Sequence, residues 1–360
     1  MKKKVSKTFP DNIFRFRGQL KSREKFLRLD KNEKTSKIHN SILNYLKKNI
    51  NSFLITGYPE LEKLYINLSK YLKLKKENII LTGGADLAIK NCFELFVKPK
   101  DKIITIDPTF AMVEIYSKLF KARQIRFSYN NQLEIDLGKI EKKINKDIKM
   151  IIISNPNNPT GTIIEKKKLL QLIQKAQKFN IPFVIDEVYY GYTQETLINY
   201  INKFNNLIII RTFSKSYGLA ALRAGYIVSN NKIAQRLYKF KPMYEINSIA
   251  AKLINYILKN KKSEEQNLLE FKKGKEYLVF CLKKMKVKFI DTYTNFVHIK
   301  TKNKKTSKTL SKYLYKNNIL IRSGGPGLKG FENYIRVTIG DKKQMSFLVH
   351  HLKKKWSYLK

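Results

Sequence analysis

The stretch Met150-Ile151-Ile152-Ile153-Ser154-Asn155-Pro156-Asn157-Asn158-Pro159-Thr160-Gly161 decides how this chain is read. Its first four residues form a continuous apolar run, rich in β-branched side chains. A run without polar alternation suits a strand buried on both faces, as strands of a parallel sheet are. The loop after it holds two prolines and three asparagines within eight residues. An ordinary connection seldom needs that composition. In an open parallel sheet, ligands gather beyond the carboxyl ends of the strands, so the residues just past each strand are where function is sought.

Six more apolar runs flank this one: Ile79–Leu81 with Thr82, Ile103–Ile106, Gln124–Phe127, Pro182–Ile185, Leu207–Ile210 and Gly225–Val228. They read as buried strands, and the segments between them are long enough for crossover helices. Leu61, Leu64, Tyr65, Leu68, Tyr71 and Leu72 recur at helical spacing. Thr162 with Glu165 predicts a capping box opening a further helix through Leu169, Leu172, Ile173, Ala176 and Phe179. The architecture predicted is α/β, helices layered on a mostly parallel seven-stranded sheet.

The texture changes after about residue 240. Lys-rich helical stretches alternate with Val287–Ile290, Asn295–Ile299, Ile319–Ile321 and Tyr334–Ile339, which reads as a smaller α+β domain. Residues 1–40, with Phe14-Arg15-Phe16-Arg17, read as an arm or part of that small domain, 41–240 as the large domain and 241–360 as the small one.

The strand ends carry a consistent set of residues. After Ile79–Thr82 come Gly83-Gly84-Ala85-Asp86 and a helical stretch, a place where backbone N–H groups and a helix N-terminus favour an anion. After Ile103–Ile106 comes Asp107-Pro108-Thr109-Phe110. After Pro182–Ile185 comes Asp186-Glu187-Val188-Tyr189. After Leu207–Ile210 comes Arg211-Thr212-Phe213-Ser214-Lys215, then Leu222-Arg223-Ala224-Gly225. One glycine turn, one strand-end aspartate or one lysine means little. Their joint order does.

Composition sets the remaining limits. The 360 residues are 43% hydrophobic, enough for a large core. The formal charge of +45 comes from 73 Lys and Arg against 28 Asp and Glu, and only eleven of the basic residues are arginine. The lysines are scattered, without an aromatic-interleaved basic module or zinc-finger spacing, so no nucleic-acid partner is expected. No apolar run reaches membrane-spanning length and the first residues lack a secretory pattern, so a cytoplasmic protein without a membrane partner is expected. Cys92 and Cys281 read as core thiols. His39, His298, His350 and His351 lack metal-ligand spacing, read as structural or surface residues, and no metal is expected.

Together these motifs resemble the class I/II aminotransferases of the pyridoxal 5'-phosphate (PLP) dependent fold type I, and within them the histidinol-phosphate aminotransferases. Leu29-Asp30-Lys31-Asn32-Glu33 and Tyr58-Pro59-Glu60 resemble that subgroup's N-terminal signatures. The resemblance runs from about residue 27 to 345. It implies that Lys215 holds the cofactor covalently and then moves the substrate's α-proton, that Asp186 pairs with the pyridine nitrogen, and that Tyr189 and Asn158 meet the ring's phenolic oxygen. It implies Phe110 stacked on the ring, and Gly84, Ala85, Asp86, Thr212, Ser214 and Arg223 around the cofactor phosphate. Tyr58 would reach the phosphate of a neighbouring subunit, hence a homodimer. Arg336 would grip a substrate carboxylate and Arg322 a substrate phosphate, with Asn158 also on the substrate side.

The reaction implied is transfer of an amino group between an amino acid, or histidinol phosphate, and a 2-oxo acid. Two other readings share the motifs. A decarboxylase of amino-acid phosphates differs only in which Cα bond is broken. A non-catalytic binding protein on the same fold would be expected to have lost part of the set Lys215, Asp186, Asn158, Tyr189 and Arg223, which this chain retains.

Overall fold

The computed structural model describes residues 22–260 and 262–359. The arm around Phe14 therefore lies outside the described residues. Thirteen strands appear among the described residues: β1 (Leu27–Arg28), β2 (Ile79–Thr82), β3 (Lys102–Asp107), β4 (Arg123–Ser128), β5 (Ile148–Ser154), β6 (Phe183–Asp186), β7 (Leu207–Thr212), β8 (Gly225–Ser229), β9 (Phe289–Ile290), β10 (Phe296–Lys300), β11 (Ile319–Leu320), β12 (Arg322–Ser323) and β13 (Tyr334–Thr338).

The large sheet has seven strands in the order β2-β8-β7-β6-β5-β3-β4. All seven expected runs lie in it. Every neighbouring pair is parallel except those of β8, which runs antiparallel to β2 and β7. That reversal matters for the site. Gly225, at the start of β8, is in register with both Thr82 and Thr212, at the ends of β2 and β7. Arg223 is thereby delivered to the same sheet edge as the other motifs.

Alternate residues of the central strands feed two cores. Ile151, Ile153, Ile185 and Ile209 pack with helices Glu62–Leu72, Lys166–Gln177 and Ser248–Lys259. Met150, Ile152, Val184 and Ile208 pack with helices Ala85–Phe96, Ala111–Leu119 and Asn231–Tyr238. A fully buried aliphatic side chain contributes ~1.5–3 kcal/mol, so these strands hold the fold whatever the lysine-rich exterior does. Helix Ser248–Lys259 lies beyond the boundary expected at residue 240, yet Ala250, Ile254 and Ile257 pack in the large-sheet core.

Two local expectations are corrected. β4 is an edge strand rather than a doubly buried one, with Arg123, Arg126 and Ser128 exposed. The helix after the Asn-Pro loop starts at Lys166, with Glu165 as its N-cap, and no capping box forms from Thr162. The Thr162 hydroxyl instead meets the Thr160 hydroxyl at 2.8 Å, inside the loop.

The smaller unit is an antiparallel sheet in the order β12-β13-β10-β9. One face, with Val297, Ile299, Ile335 and Val337, packs under helices Lys262–Lys284, Lys304–Lys316 and Lys342–Lys354. The intervening residues Phe296, His298, Arg336 and Thr338 point the other way, as strand alternation requires. β1 pairs in parallel with β11, and Leu29 joins the small-domain core, so the first described segment belongs to this unit.

Candidate active site

The carboxyl ends of the large-sheet strands close around a cavity of about 150 Å³ lined by Ala85, Asp86, Phe110, Ser154, Asn158, Asp186, Val188, Tyr189, Thr212, Ser214, Lys215 and Arg223. Nearly every residue expected from the motifs is here. Gly84 lies just behind Ala85 as the N-cap of helix Ala85–Phe96. Tyr58 is outside, 74% exposed and stacked on Tyr244 with ring centroids 4.2 Å apart. Arg336 is buried beside the cavity, and Arg322 is exposed, directly across the strand pair from it.

One end of the cavity is shaped for an anion. Gly84 has φ +92° and opens the first turn of helix Ala85–Phe96, whose N–H groups are without intrahelical partners. A Cβ on Gly84 would lie 2.8 Å from the Arg223 guanidinium, so the arginine can lie against this backbone only because the residue is glycine. Gly225 is required in the same way, since a Cβ there would sit 2.8 Å from the Arg211 carbonyl and 3.0 Å from the Ala85 nitrogen. Ser214 completes this end: its Oγ is buried and has no hydrogen-bond partner. A buried unpartnered hydroxyl costs roughly 1–3 kcal/mol, which a bound anion would recover.

The far end carries Asp186, buried at the end of β6. Its carboxylate accepts from the Ser154 hydroxyl at 3.2 Å and from the Val188 N–H at 3.1 Å. Ser154 is its register partner on β5. Burial pushes Asp186 up to about 6 despite these donors. A carboxylate in such a place calls for a cationic partner.

Lys215 lines the same cavity, half-buried, with its Nζ donating to the Asn32 carbonyl at 2.8 Å. Burial, and then the positive charge of Arg336, lower it to about 8. A lysine so placed is a nucleophilic amine and a base near neutral pH. Tyr189 is buried below it, and burial pushes its phenol up to about 12.

Asn32 and Ser154 were not singled out among the candidate site residues. Asn32 donates from Nδ2 to the Tyr189 hydroxyl at 2.8 Å, and its backbone N–H donates to the Thr338 hydroxyl at 3.0 Å. It sits at φ +55°, a conformation asparagine tolerates better than most residues. With its carbonyl on Lys215, it links the small-domain sheet to two of the expected catalytic groups. Its place in the Asn32-Glu33 motif was the available signal; for Ser154, that signal was its position at a strand end beside Asp186.

On the small-domain side, Arg336 donates to Asn158 Oδ1 at 3.1 Å and to the Asp30 carbonyl at 3.0 Å, while its Nε is buried without a partner. The Gly-rich stretch after Arg322 folds over the rim, where a Cβ on Gly327 would lie 3.1 Å from the Pro159 ring. Among the described residues no group of three or more His, Cys, Asp or Glu could hold a metal, and no helix is long and apolar enough to cross a membrane.

This arrangement can be compared with known proteins. The family model for aminotransferase class I and II matches residues 29–352. The chain belongs to the class I and II aminotransferases. It is similar to the histidinol-phosphate aminotransferase of Clostridium novyi (strain NT), 30% identical over 354 residues, with 97% of each chain covered. Among solved structures, the histidinol-phosphate aminotransferase from Clostridium acetobutylicum matches with a TM-score of 0.81 at 27% identity, covering 92% of this chain and 99% of that one. The histidinol-phosphate aminotransferase from Sinorhizobium meliloti in complex with pyridoxal-5'-phosphate shares the fold, with a TM-score of 0.83 at 20% identity over 91% of this chain and 90% of that one. This aminotransferase is an enzyme, and its activity is transamination.

Proposed function

We propose that this aminotransferase uses pyridoxal 5'-phosphate and moves an amino group between histidinol phosphate, or a related phosphorylated or aromatic amine, and a 2-oxo acid. The observation that carries the reading is one cavity lined by Lys215, by an anion cradle and by buried Asp186. Its residues fit the cofactor: Ser214 Oγ lacks a partner, Gly84 leaves room for Arg223, and Phe110 supplies an aromatic wall. The named relatives and the PLP complex of the Sinorhizobium meliloti neighbour support the same assignment.

When bound, pyridoxal phosphate supplies an electrophilic carbon for amine exchange and a ring that accepts the electron pair left at the substrate's Cα. Gly84, Ala85, Asp86, Thr212, Ser214 and Arg223 would hold the phosphate. Asp186, kept ionised by its new cationic partner, would hold the pyridine nitrogen protonated. Asn158, whose Oδ1 is engaged by Arg336, keeps its amide nitrogen to donate to the phenolic oxygen, and Tyr189 offers its hydroxyl beside it. Lys215 would carry the cofactor and then shuttle the α-proton. Arg336 would take an incoming carboxylate bidentately through its Nε side, and exposed Arg322 would meet a substrate phosphate.

Tyr58 fits the second-subunit role on exposure alone. It lines one groove with Phe53, which is 67% exposed, and stacks on Tyr244, the chain neighbour of Met243, which is 77% exposed. An apolar patch of this kind suits a second copy of the chain.

One experiment tests the assignment. The purified enzyme, loaded with PLP, should show a visible absorbance band that Lys215→Ala abolishes. Histidinol phosphate should bleach the band and 2-oxoglutarate should restore it. Sedimentation of the same preparation should give about twice the 42.4 kDa chain mass; a monomer would remove the homodimer. Release of carbon dioxide from an added amino-acid phosphate, which unlike histidinol phosphate carries a carboxylate, with the band persisting, would replace transamination by decarboxylation, and absence of any band would sink the cofactor assignment.

A further inference from the structure

His298 lies on the small-domain strand β10 and has no exposed surface. Its Nε2 is 2.8 Å from the carbonyl oxygen of Pro159. That carbonyl can only accept, so Nε2 carries a proton, and burial keeps the ring neutral. Nδ1 is then a bare lone pair, buried and without a partner. The groups facing the ring are the Pro159 carbonyl, the Phe296 ring at 5.4 Å in an edge-on contact, and Arg336, its register partner on β13. Burial lowers the imidazole to about 3, so it stays uncharged at physiological pH. A buried neutral histidine with half its polar capacity unused is a costly way to fill a core position that leucine could occupy.

The register shows what the position achieves. His298 and Arg336 are direct cross-strand partners on one face of the small-domain sheet. They grip two successive residues of the loop after β5: Arg336 takes the Asn158 side chain at 3.1 Å, and His298 takes the Pro159 backbone. The Arg336 grip is on a side chain and leaves Nε free for an incoming carboxylate. The His298 grip is on backbone and independent of ligand.

We propose that His298 is a positioning residue for the aminotransferase reaction: it fixes the Asn158–Pro159 backbone against the small-domain sheet, so that Asn158 and Arg336 present their polar ends to one site. This rests on the roles given above to Asn158 and Arg336.

The test uses the PLP-loaded enzyme with His298→Leu, His298→Gln and, as a reference, Asn158→Ala. It reads KM and kcat for the amino donor, the pH midpoint of the visible band of the lysine-bound cofactor, and the thermal unfolding midpoint. His298→Leu should raise KM about tenfold, the size of one lost positioning hydrogen bond. It should also shift the pH midpoint of the band in the same direction as Asn158→Ala. The Gln amide can still donate to Pro159, so His298→Gln should return both readouts most of the way. Should the leucine variant fail to fold, His298→Asn, polar but shorter in reach, takes its place.

Wild-type KM and band midpoint in His298→Leu overturn the proposal. So does equal impairment of the Leu and Gln variants with a matching fall in unfolding midpoint, which would make His298 a packing residue. A disturbed Asn158→Ala beside an undisturbed His298→Leu overturns this inference alone. An undisturbed Asn158→Ala removes the site roles themselves, and the positioning role with them.

Discussion

The floor and the rim of the cavity are built differently. The floor is made of strand ends: Asp186 on β6, Thr212 on β7, then Ser214, Lys215 and Arg223, with Gly84 and Gly225 where backbones must touch. Each hangs from a strand buried on both faces, so a few residues of sequence decide each position. The rim is made of pieces far apart in the chain. Asp30 and Asn32, Asn158 and Pro159, His298 and Arg336 meet through hydrogen bonds, most of them side chain to backbone, across as many as 306 positions. A floor of that kind suits a constant cofactor, and a rim of that kind suits a variable substrate and movement between the two sheets.

The largest effect should come from the floor. Asp186→Ala removes the carboxylate that would keep the pyridine nitrogen protonated. We expect kcat to fall on the order of a thousandfold, with weaker PLP binding measured by dialysis and absorbance. A variant with wild-type cofactor affinity and rate would break the division, because it would place no chemistry at the buried end of the floor.

The rim should fail differently. Arg336→Lys keeps a charge but loses the fork, and in a buried site that exchange is not conservative. We expect kcat/KM for carboxylate substrates to fall about a hundredfold, mostly through KM, with PLP affinity unchanged. Loss of cofactor along with substrate affinity would show that the rim also shapes the floor.

The same division explains what the sequence disclosed. Strand existence was legible because runs such as Ile151–Ile153 and Leu207–Ile210 are continuously apolar, and the motifs come within a few residues of them. The reversal of β8 was not, because Gly225–Val228 reads the same in either direction. Its direction depends on register with Thr82 and Thr212, which only tertiary packing supplies. The capping box expected from Thr162 failed because the Thr162 hydroxyl serves the loop instead. His298 read as one of four ordinary histidines, because nothing local announces that its partner is a proline carbonyl 139 positions away. Arg336 was found only through resemblance, and its pairing with Asn158 has no local signal.

Floor and rim are nevertheless coupled at one point, and pH exposes it. Lys215 is lowered from 10.5 to about 8, first by burial and then by the charge of Arg336. Only the neutral amine attacks the cofactor. The rate of PLP loading onto the cofactor-free enzyme, followed by absorbance, should therefore rise about tenfold between pH 7 and pH 9 and then level off. Stability should follow the same group. Between pH 8 and 10.5 the unfolded chain binds a proton at this lysine that the folded chain does not. The cofactor-free protein should therefore gain stability as pH rises through that window, and the contribution should be flat below it. Arg336→Gln removes the nearby cation, makes protonation of Lys215 easier, and should move the loading midpoint to higher pH. An unmoved midpoint would mean that burial and the other nearby charges tune the lysine and that Arg336 leaves the chemistry of the floor untouched.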